Sequence, residues 1–462
     1  MPGIFQSLDI ARRAIWASRM GMDVTSHNIA NVNTEGYSRQ RVLNRAATPL
    51  QLPEGQLGLG VSVETINRIR SGLLDQQYRQ ANHLYARASA KENLFNQIEA
   101  ILQEPGDNSI GNLMNSFFLE FSNLASDPEN TTIRNTIRQQ ALLLVDSFRN
   151  KDLQITQMQD ALKNDSQSVV TQINEITRQI ARLNAQIASG GSGGLGANDL
   201  RDRRDLLLDR LSEYLNITYT EDSGGQLTVV AEGSNLVSGT KANQLSLERQ
   251  KNGDDLHLII KNSNGQEASF QSGKLGALLD MHNNQLSTLR EKLDTLAGSF
   301  AEEVNRIHAA GYGLPTGDPP AASTGIDFFI GNSAATIDIS AEIREDVTKI
   351  AASNDGTPGN GDVALAISNI RNSKVLLGGT ETLDGFYQGI VKNLAMDIQA
   401  AENTRNGQQL IKDQIQNQRE AESGVSLDEE MTNLIKYQRS FEAAAKVIQV
   451  VDEMMETLVN II

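Results

Sequence analysis

The longest helical pattern in the chain limits what it can fold into. No glycine or proline occurs between Glu129 and Ser189, and apolar residues recur there at intervals of seven. Such a heptad predicts a helix that packs along its whole length against other helices. At 1.5 Å per residue the helix would be on the order of 80 Å long, too long for a compact domain. An elongated helical rod is therefore predicted. The heptad members are Ala141, Phe148, Ile155, Leu162, Val169, Ile176 and Leu183.

Both ends of the chain carry the same seven-residue pattern. We predict that the two terminal helices pair as a coiled coil and that the rest of the chain is looped out between them. The alternative is that each terminal helix packs separately on a central core, but the length of the C-terminal seam favours pairing. The N-terminal series is Met1, Leu8, Ile15, Met22 and Ile29. The C-terminal series is Leu427, Leu434, Phe441, Ile448, Met455 and Ile462, with Tyr437, Ala444, Val451 and Leu458 three residues after successive members.

Composition excludes several function classes. A net charge of −16 over 462 residues argues against nucleic-acid binding, which needs a basic face. The lack of cysteine excludes disulfides and thiolate metal sites. No apolar run is long enough to span a bilayer, and no cleavable signal is expected, since Arg12, Arg13 and Arg19 interrupt the N-terminal apolar residues. A helix with these arginines could lie on a membrane surface, although the acidic remainder of the chain disfavours that alternative.

A polar turn after the N-terminal helix carries a family resemblance. Asparagine and glycine favour turns, and the segment resembles the N-terminal signature of the bacterial flagellar rod, hook and hook-associated axial proteins. Glu35 departs from the family, in which proline is common at this position, and a surface turn should accept it. The matching residues are Asn28, Ile29, Ala30, Asn31, Asn33, Thr34, Gly36 and Tyr37.

Three further segments resemble the hook–filament junction branch of that family. They are Tyr37-Ser38-Arg39-Gln40, the block from Asn198 to Asp205 (Asn-Asp-Leu-x-Asp-x-Arg-Asp), and Val304-Asn305-x-x-His308-x-x-Gly311. The two internal blocks are not expected in the shorter rod and hook proteins, and the motifs occur here in the family's order. The resemblance therefore favours a junction subunit over another axial subunit, from the hook or the rod, which is the nearest alternative.

The resemblance implies a structural role and a set of partners. The expected function is a subunit that polymerises into a helical tube at the hook–filament junction, outside the cell, after export without a cleaved signal. The expected partners are other copies of the chain, the hook protein, the second hook–filament junction protein, the flagellar type III export apparatus, and a cytoplasmic export chaperone on the C-terminal helix. The residues expected to form the self-assembly and chaperone-binding seam are Leu427, Leu434, Phe441, Ile448, Val451, Met455, Leu458 and Ile462.

The predicted fold is mainly α, with small β-rich insertions on the rod. Between 216 and 272 the pattern changes to short strand-like segments separated by turns such as Asn252-Gly253. Proline and glycine cluster between 312 and 361, which predicts a second, small mixed insertion. The predicted divisions are a terminal coiled-coil core at 1–40 and 425–462, a helical rod at 41–215, 273–311 and 362–424, and the two insertions at 216–272 and 312–361.

No catalytic or cofactor site is predicted. The five histidines, at 27, 83, 257, 282 and 308, belong to no catalytic motif, and nothing completes an acid–base pair of His27 with Glu35. Arginines interleaved with the aspartates of 199–205 favour ion pairs over a metal site. His308 is expected to interact with the last carbonyls of its helix. The glycine-rich segment 189–196 lacks the context of a phosphate-binding loop and is expected to be a flexible connection.

Overall fold

The chain folds into long helices with small antiparallel sheets, as predicted from its periodicity. The computed structural model describes residues 2–52, 55–102, 106, 109–189, 195–252, 255–316 and 321–461. Most of the predicted connection at 189–196 lies outside these residues, as do Met1 and Ile462. In the described part of the chain the helices are α1 (Pro2–Ala30), α2 (Gly72–Leu102), α3 (Ile110–Ser126), α4 (Thr131–Ser189), α5 (Leu195–Tyr214), α6 (Gly273–Asp280), α7 (Ser287–His308), α8 (Ala341–Glu345), α9 (Asp362–Asn369), α10 (Leu383–Ser423) and α11 (Leu427–Ile461).

The strands form short antiparallel sheets. In the described part of the chain they are β1 (Gln40–Ala46), β2 (Leu50–Leu52), β3 (Gly55–Leu57), β4 (Val61–Arg68), β5 (Ile217–Glu221), β6 (Leu227–Ala231), β7 (Ser234–Ser238), β8 (Lys241–Ala242), β9 (Ser246–Asn252), β10 (Asp255–Lys261), β11 (Glu267–Ala268), β12 (Phe329–Ile330), β13 (Asp338–Ile339), β14 (Lys374–Leu376) and β15 (Glu381–Thr382). The order is β5-β6-β7-β8 in one sheet and β11-β10-β9 in a second, and the remaining strands pair as β1-β4, β2-β3, β12-β13 and β14-β15.

Helix α4 is the long helix predicted from the sequence. It contains 59 residues and is about 88 Å long at 1.5 Å per residue. The sequence Asp127-Pro128 predicts an N-cap followed by a proline at the first helical position, but the helix begins three residues later, at Thr131. Asp127 ends α3, and the Asn130 side chain accepts hydrogen bonds from the amides of Thr132 and Ile133 at 2.9 and 3.3 Å. An asparagine one residue before the helix satisfies the free amides of the first turn.

Helices α2 and α10 form an antiparallel pair whose register is fixed by basic residues at seven-residue steps. The guanidinium of Arg419 lies 4.9 Å from the centre of the Tyr78 ring, and Lys412 Nζ lies 4.1 Å from that of Tyr85. One step further, the Arg405 guanidinium binds both carboxylate oxygens of Glu92 at 2.8 and 3.0 Å. Each step of seven forward on α2 is a step of seven back on α10, so the heptads match along the pair.

The core of the rod is continuous and is richest in aromatic residues where α3 meets α7. Ring centroids in this cluster lie 5.0–5.7 Å from that of Phe117, the spacing of edge-on and tilted aromatic contacts. The second insertion contributes two of the rings, so it is packed into the rod. The partners of Phe117 are Phe118, Phe121, Phe300, Phe328 and Phe329.

Three helix asparagines attach the insertions to the rod by the same device. Each side-chain amide donates to the carbonyl, and accepts from the N–H, of a single insertion residue, at 2.7–2.8 Å. One of these asparagines, Asn283, lies in a π-helical turn, Met281–Leu286. Two hydrogen bonds to the backbone of one residue leave little rotational freedom, so the insertions are fixed to the rod. The pairs are Asn174 with Leu245, Asn283 with Leu258, and Asn305 with Phe329.

The two terminal helices pack against each other, which confirms the predicted pairing over separate packing on a central core. The pair is antiparallel. A Cβ placed on Gly21 would lie 2.5 Å from the Tyr437 ring, and seven residues later on α1 the Asn28 amide donates to Glu430, seven residues earlier on α11, at 2.9 Å. Besides Val24 and Asn28, the buried residues of α1 are small, which allows this close approach. They include Ala11, Ala17, Ser18, Gly21 and Thr25.

Candidate functional site

Asn28 lies at the centre of the polar turn and uses both the oxygen and the nitrogen of its side-chain amide. Its Nδ2 donates to the Gln40 carbonyl and to Glu430 Oε2, both at 2.9 Å. Its Oδ1 accepts from the Tyr37 hydroxyl at 2.7 Å and from the Gln40 N–H at 3.0 Å. A fully buried asparagine with every bond satisfied fixes the path of the chain from α1 into β1.

Glu430 connects this turn to the C-terminal helix. Its carboxylate is 2% exposed and also accepts from Arg39 Nε at 2.7 Å. Arg39 in turn contacts Glu429 at 2.5 Å through Nη1, and its N–H donates to the Ser423 carbonyl at 3.0 Å. A buried carboxylate is tolerated only when it is paired and hydrogen-bonded, so Glu430 specifies how α11 sits on the turn.

The block from Asn198 to Asp205 binds the other side of the turn. Asn198 donates to Gln40 Oε1 at 3.1 Å and to the Ile66 carbonyl at 2.9 Å, and Gln40 Nε2 donates to Asp199 at 3.1 Å. The Ser38 N–H donates to Asp202 Oδ2 at 3.0 Å. The motif turn therefore connects the paired termini to α5, the helix that carries this block.

Beneath the turn lies a buried arginine–aspartate cluster of four arginines and four aspartates. Asp205 and Asp202 lie 2.7 and 2.8 Å from Arg68 Nη1, and Asp209 lies 2.7 Å from Arg79 Nε. Its residues lie on β4, α2, α5 and α10, with Arg70 just after β4. The cluster therefore connects the segments that lead from the rod to the termini. Its members are Arg68, Arg70, Arg79 and Arg419 with Asp75, Asp202, Asp205 and Asp209.

The aspartates of the cluster differ in their electrostatics. Burial alone would raise the pKa of Asp205, but the nearby Arg70, Arg68 and Arg79 outweigh it and lower this pKa to about 2. At Asp202 burial dominates and raises the pKa despite the hydrogen bonds from Arg68 and Ser38. These carboxylates are engaged by guanidinium groups. Among the described residues, no group of three or more histidines or acids is arranged to hold a metal ion.

The side chains of His27 and Glu35 do not come together as an acid–base pair. Glu35 lies 3.1 Å from Arg210 at the surface, whereas His27 Nδ1 lies 3.0 Å from the Tyr37 hydroxyl. Burial, followed by Asp199, Asp202 and Glu430, raises the pKa of Tyr37, which keeps the phenol neutral and able to donate to Asn28. Together, the contacts of the turn and of the arginine–aspartate cluster form a joint between the terminal helices and the rod.

Comparison with known proteins agrees with this joint-and-rod architecture. A family model described as the helical domain of the flagellar hook-associated protein FlgK matches residues 95–329, just over half of the chain. The chain belongs to this FlgK family of flagellar hook-associated proteins. The ends match more general models: a flagellar basal-body rod protein model covers 8–37, and the C-terminal model of the rod proteins FlgEFG covers 416–461. The ends are thus common to the axial proteins, and the middle distinguishes the family.

Individual relatives extend the match to the whole chain. Flagellar hook-associated protein 1 of Bacillus subtilis is 28% identical over 507 aligned residues, covering 100% of this chain and 99% of that protein. The Salmonella typhimurium protein of the same name is 25% identical, covering 96% of this chain and 98% of its own. The solved structure of the flagellar hook junction protein FlgK from Burkholderia pseudomallei superposes with a TM-score of 0.64 and 17% identity, covering 77% of this chain and 100% of that one. At that identity the superposition shows the shared fold.

The second internal block of this FlgK-family chain, 304–311, also attaches one part of the fold to another: it binds the second insertion to α7. His308 is buried, its Nδ1 lies 2.7 Å from the Ile326 carbonyl, and its Nε2 accepts from the Ala351 N–H at 2.9 Å. The expectation that His308 interacts with the last carbonyls of its helix was therefore wrong, because the ring turns inward to hold the second insertion. Burial lowers the pKa of His308 to about 4, against the bond to Ile326 and with a smaller contribution from Arg134.

The predicted seam residues lie along α11 with graded burial. Val451 is buried, four members are half-buried, and Leu427 is exposed. The side chain of Leu458 and all of Ile462 lie outside the described structure. Sequence reasoning missed Glu430, which falls in series with Tyr437, Ala444 and Val451. A charged residue at a seam position was the signal that could have identified it. The half-buried members are Leu434, Phe441, Ile448 and Met455.

Proposed function

We propose that this FlgK-family subunit polymerises into a helical tube at the hook–filament junction and adapts the hook to the filament. Its partners there would be copies of itself, the hook protein and the second hook–filament junction protein. Family membership supports this assignment over a hook or rod subunit, since the model for residues 95–329 is specific to hook-associated proteins. The membrane-surface alternative receives no such support. Within the described residues, no helix has the length and apolar character needed to cross a bilayer.

The observation that carries the proposal is the apolar surface left over after the termini have paired. Phe5 and Trp16 on α1, and Met431, Ile435 and Met454 on α11, remain about half exposed or more. Large apolar side chains gathered on one helix pair mark an interaction surface. When such a surface binds a different surface on the next copy, the contact is heterologous. Repetition of a heterologous contact that does not close into a ring generates an open helical assembly.

The test replaces exposed seam-flanking residues without touching the monomer's core. Met431→Asp and Ile435→Asp should leave the unfolding of the purified chain within about 0.5 kcal/mol of wild type, since both side chains are on the surface. In cells lacking the native protein, both variants should be secreted but not retained on hooks. Gln438→Asp, an exposed polar position on the same helix, is the control. Normal retention of both variants on hooks would contradict the proposal.

We further propose that an export chaperone covers the C-terminal helix before the type III apparatus secretes the chain. The seam half of α11 lies against α1 in the folded chain, so a chaperone that binds the seam must displace α1. Two double variants separate the faces: Ile448→Asp with Met455→Asp on the half-buried seam, and Val447→Asp with Met454→Asp on the exposed face. Seam binding predicts that the first double variant loses the chaperone in a pull-down and that the second keeps it. Retention of the chaperone by both double variants would place its binding site elsewhere.

A further inference from the structure

A short hairpin directly before α10 presents a leucine to solvent in a left-handed backbone conformation. Leu377, Gly378 and Gly379 have φ angles of 51°, 70° and 85°, and the leucine is 60% exposed. Glycine adopts such angles freely, whereas a bulky L-residue does so at a cost. Hydrogen bonds from the Gly379 and Thr380 amides to the Leu376 carbonyl, at 3.0 and 3.1 Å, hold the turn in place. The leucine is therefore a fixed projection.

A comparison with Glu232 shows what makes Leu377 unusual. Glu232, with φ of 44°, is the other non-glycine residue at positive φ in the described part of the chain. Its carboxylate accepts the amides of Gln271 and Ser272 at 2.7 and 3.1 Å, and these bonds offset the backbone cost. The Leu377 side chain projects into solvent, so its apolar surface contributes little to the stability of a single copy. Because no contact of this side chain with other described residues offsets the backbone strain, the strain points to a role in contact with another molecule.

A groove of matching character lies between α3 and α4. It has a volume of about 310 Å³, and its apolar wall combines buried Leu113 with exposed Leu143. Asp146 stands exposed at its side, and buried Lys151, whose Nζ donates to the Ile101 carbonyl at 2.7 Å, also lines it. Exposed Arg371 and Lys374 flank the Leu377 hairpin, whose second strand carries exposed Glu381. The hairpin thus offers an apolar tip with positive neighbours, and the groove offers an apolar wall with a negative one. The two surfaces correspond in apolar character at the leucines and in charge at Lys374 and Asp146.

The start of α10, which follows the hairpin, and the groove lie on opposite sides of the first turn of α3. A Cβ on Gly111 would lie 3.2 Å from the ring of Tyr387, in the first turns of α10 just after the hairpin. Leu113 lines the groove with α4. Two residues on a helix are about 3 Å apart along the axis and about 200° apart around it. The first turn of α3 therefore separates the start of α10 from the groove with almost no change of level.

We propose that the Leu377 hairpin of one copy inserts into the α3–α4 groove of a neighbouring copy of this chain, with Lys374 facing Asp146. Two different surfaces on opposite sides of α3 repeat side by side around a tube, which is the heterologous geometry that an open helical assembly needs. The contact would join the rods of adjacent subunits, in addition to any contact between their terminal helices. This inference rests on the proposed tube assembly and names a second interface within it.

Disulfide cross-linking tests the contact directly, because the chain contains no cysteine. The full chain carrying Leu377→Cys and Leu143→Cys is expressed in place of the native subunit, and flagella are isolated and mildly oxidised. We expect covalent dimers, trimers and higher multimers, because each copy would donate one cysteine to each neighbour. The matched pair Leu365→Cys with Leu143→Cys, also with an exposed leucine on a helix near the hairpin, should give none. Absence of multimers from the Leu377 pair, in particles that contain the subunit, overturns the proposal.

A glycine variant separates docking from folding. Leu377→Gly removes the projection and also relieves the left-handed strain, so the thermal unfolding temperature should stay the same or rise. We expect retention on hooks to fall at least several-fold. If Leu377→Gly is retained normally while Met431→Asp is lost, the hairpin contact is refuted and the tube assembly stands. If both variants are retained normally, both proposals fail.

Discussion

The buried Asp205 gives the sharpest test of how the joint is stabilised. Its Oδ2 lies 2.7 Å from Arg68 Nη1, and Arg70 and Arg79 each approach its carboxylate to 3.5 Å. Its pKa of about 2, against 3.8 for an unperturbed aspartate, corresponds to about 2 kcal/mol of stability. Removing one partner of a buried ion pair costs about 3–5 kcal/mol. We therefore expect Asp205→Asn to lower the free energy of unfolding at pH 7 by about 2–5 kcal/mol.

The pH dependence of that loss is the discriminating feature. A carboxyl group whose pKa is depressed by folding contributes its full stability above the unfolded pKa and loses it as pH falls towards the folded pKa. For Asp205 the window runs from about pH 4 down to about pH 2. The difference between wild type and Asp205→Asn should be constant from pH 7 to about pH 5 and should shrink steadily below pH 4.

Urea unfolding at a series of pH values measures this difference. Asp397→Asn, at an exposed position on α10, is the control and should stay within about 0.5 kcal/mol of wild type throughout. Asp202→Asn should cost less than Asp205→Asn, because burial raises the Asp202 pKa and the one amide oxygen of asparagine can still accept from either Ser38 or Arg68. A loss for Asp205→Asn that is the same at pH 3 and pH 7 would refute the ion-pair reasoning.

Three other perturbations have defined outcomes. Acidification from pH 6.5 to 5 should destabilise the wild type by about 2 kcal/mol more than His308→Gln in urea titrations, because burial holds the pKa of this histidine at about 4 and the unfolded chain takes up the proton first. Asn305→Ala should cost about 2–4 kcal/mol and speed amide exchange in the second insertion, because a buried N–H and carbonyl lose their partners. Gly21→Ala should loosen α1 from α11 by placing a methyl against Tyr437, whereas Gly407→Ala, in open space on α10, should raise stability by up to about 1 kcal/mol. Circular dichroism and thermal melts compare the two glycine variants.

Each of these expectations has a contrary result. Parallel pH profiles for wild type and the His308 variant would show that the ring is protonated in the fold. Exchange in the second insertion that is unchanged by Asn305→Ala would mean that its bidentate bond to Phe329 does not hold that insertion. Equal melts for the alanine variants at Gly21 and Gly407 would show that the terminal helices are not in close contact.

The helices were predictable because their physics is local and repetitive. Heptads and the absence of helix breakers indicated α4 and both terminal helices from neighbouring residues alone. The start of α4 was misplaced, because Asp127-Pro128 and Asn130 are both acceptable caps and packing at the end of α3 decides between them. The inward turn of His308 was missed for a related reason, since its acceptor Ile326 and its donor Ala351 lie in a segment with no periodicity.

The site was predictable in outline and not in its contacts. The resemblance drew attention to the turn at Asn28 and to the block ending at Asp205, but no local rule links them. The partners of Asn28 include Glu430, which is 402 residues away in sequence, and Ser38 binds Asp202, 164 residues away. Such pairings depend on the topology that brings both ends of the chain and α5 together. Interleaved arginines and aspartates at 199–205 correctly indicated ion pairs, but they did not indicate that Arg204 would be fully buried.

The seven-residue period cannot by itself decide which helix pairs with which, because α2, α4 and the terminal helices share it. The polar exceptions decide the register. At the termini, Glu430 meets Asn28 and Tyr437 meets Gly21, so a slip of one heptad in one direction would place Glu430 opposite Gly21 with no donor there. A slip in the other direction would place it opposite position 35, beyond the end of α1. Either slip buries an unpaired carboxylate or loses its bonds, at a cost of several kcal/mol. One buried acid in an apolar seam therefore specifies the alignment that the apolar residues leave open.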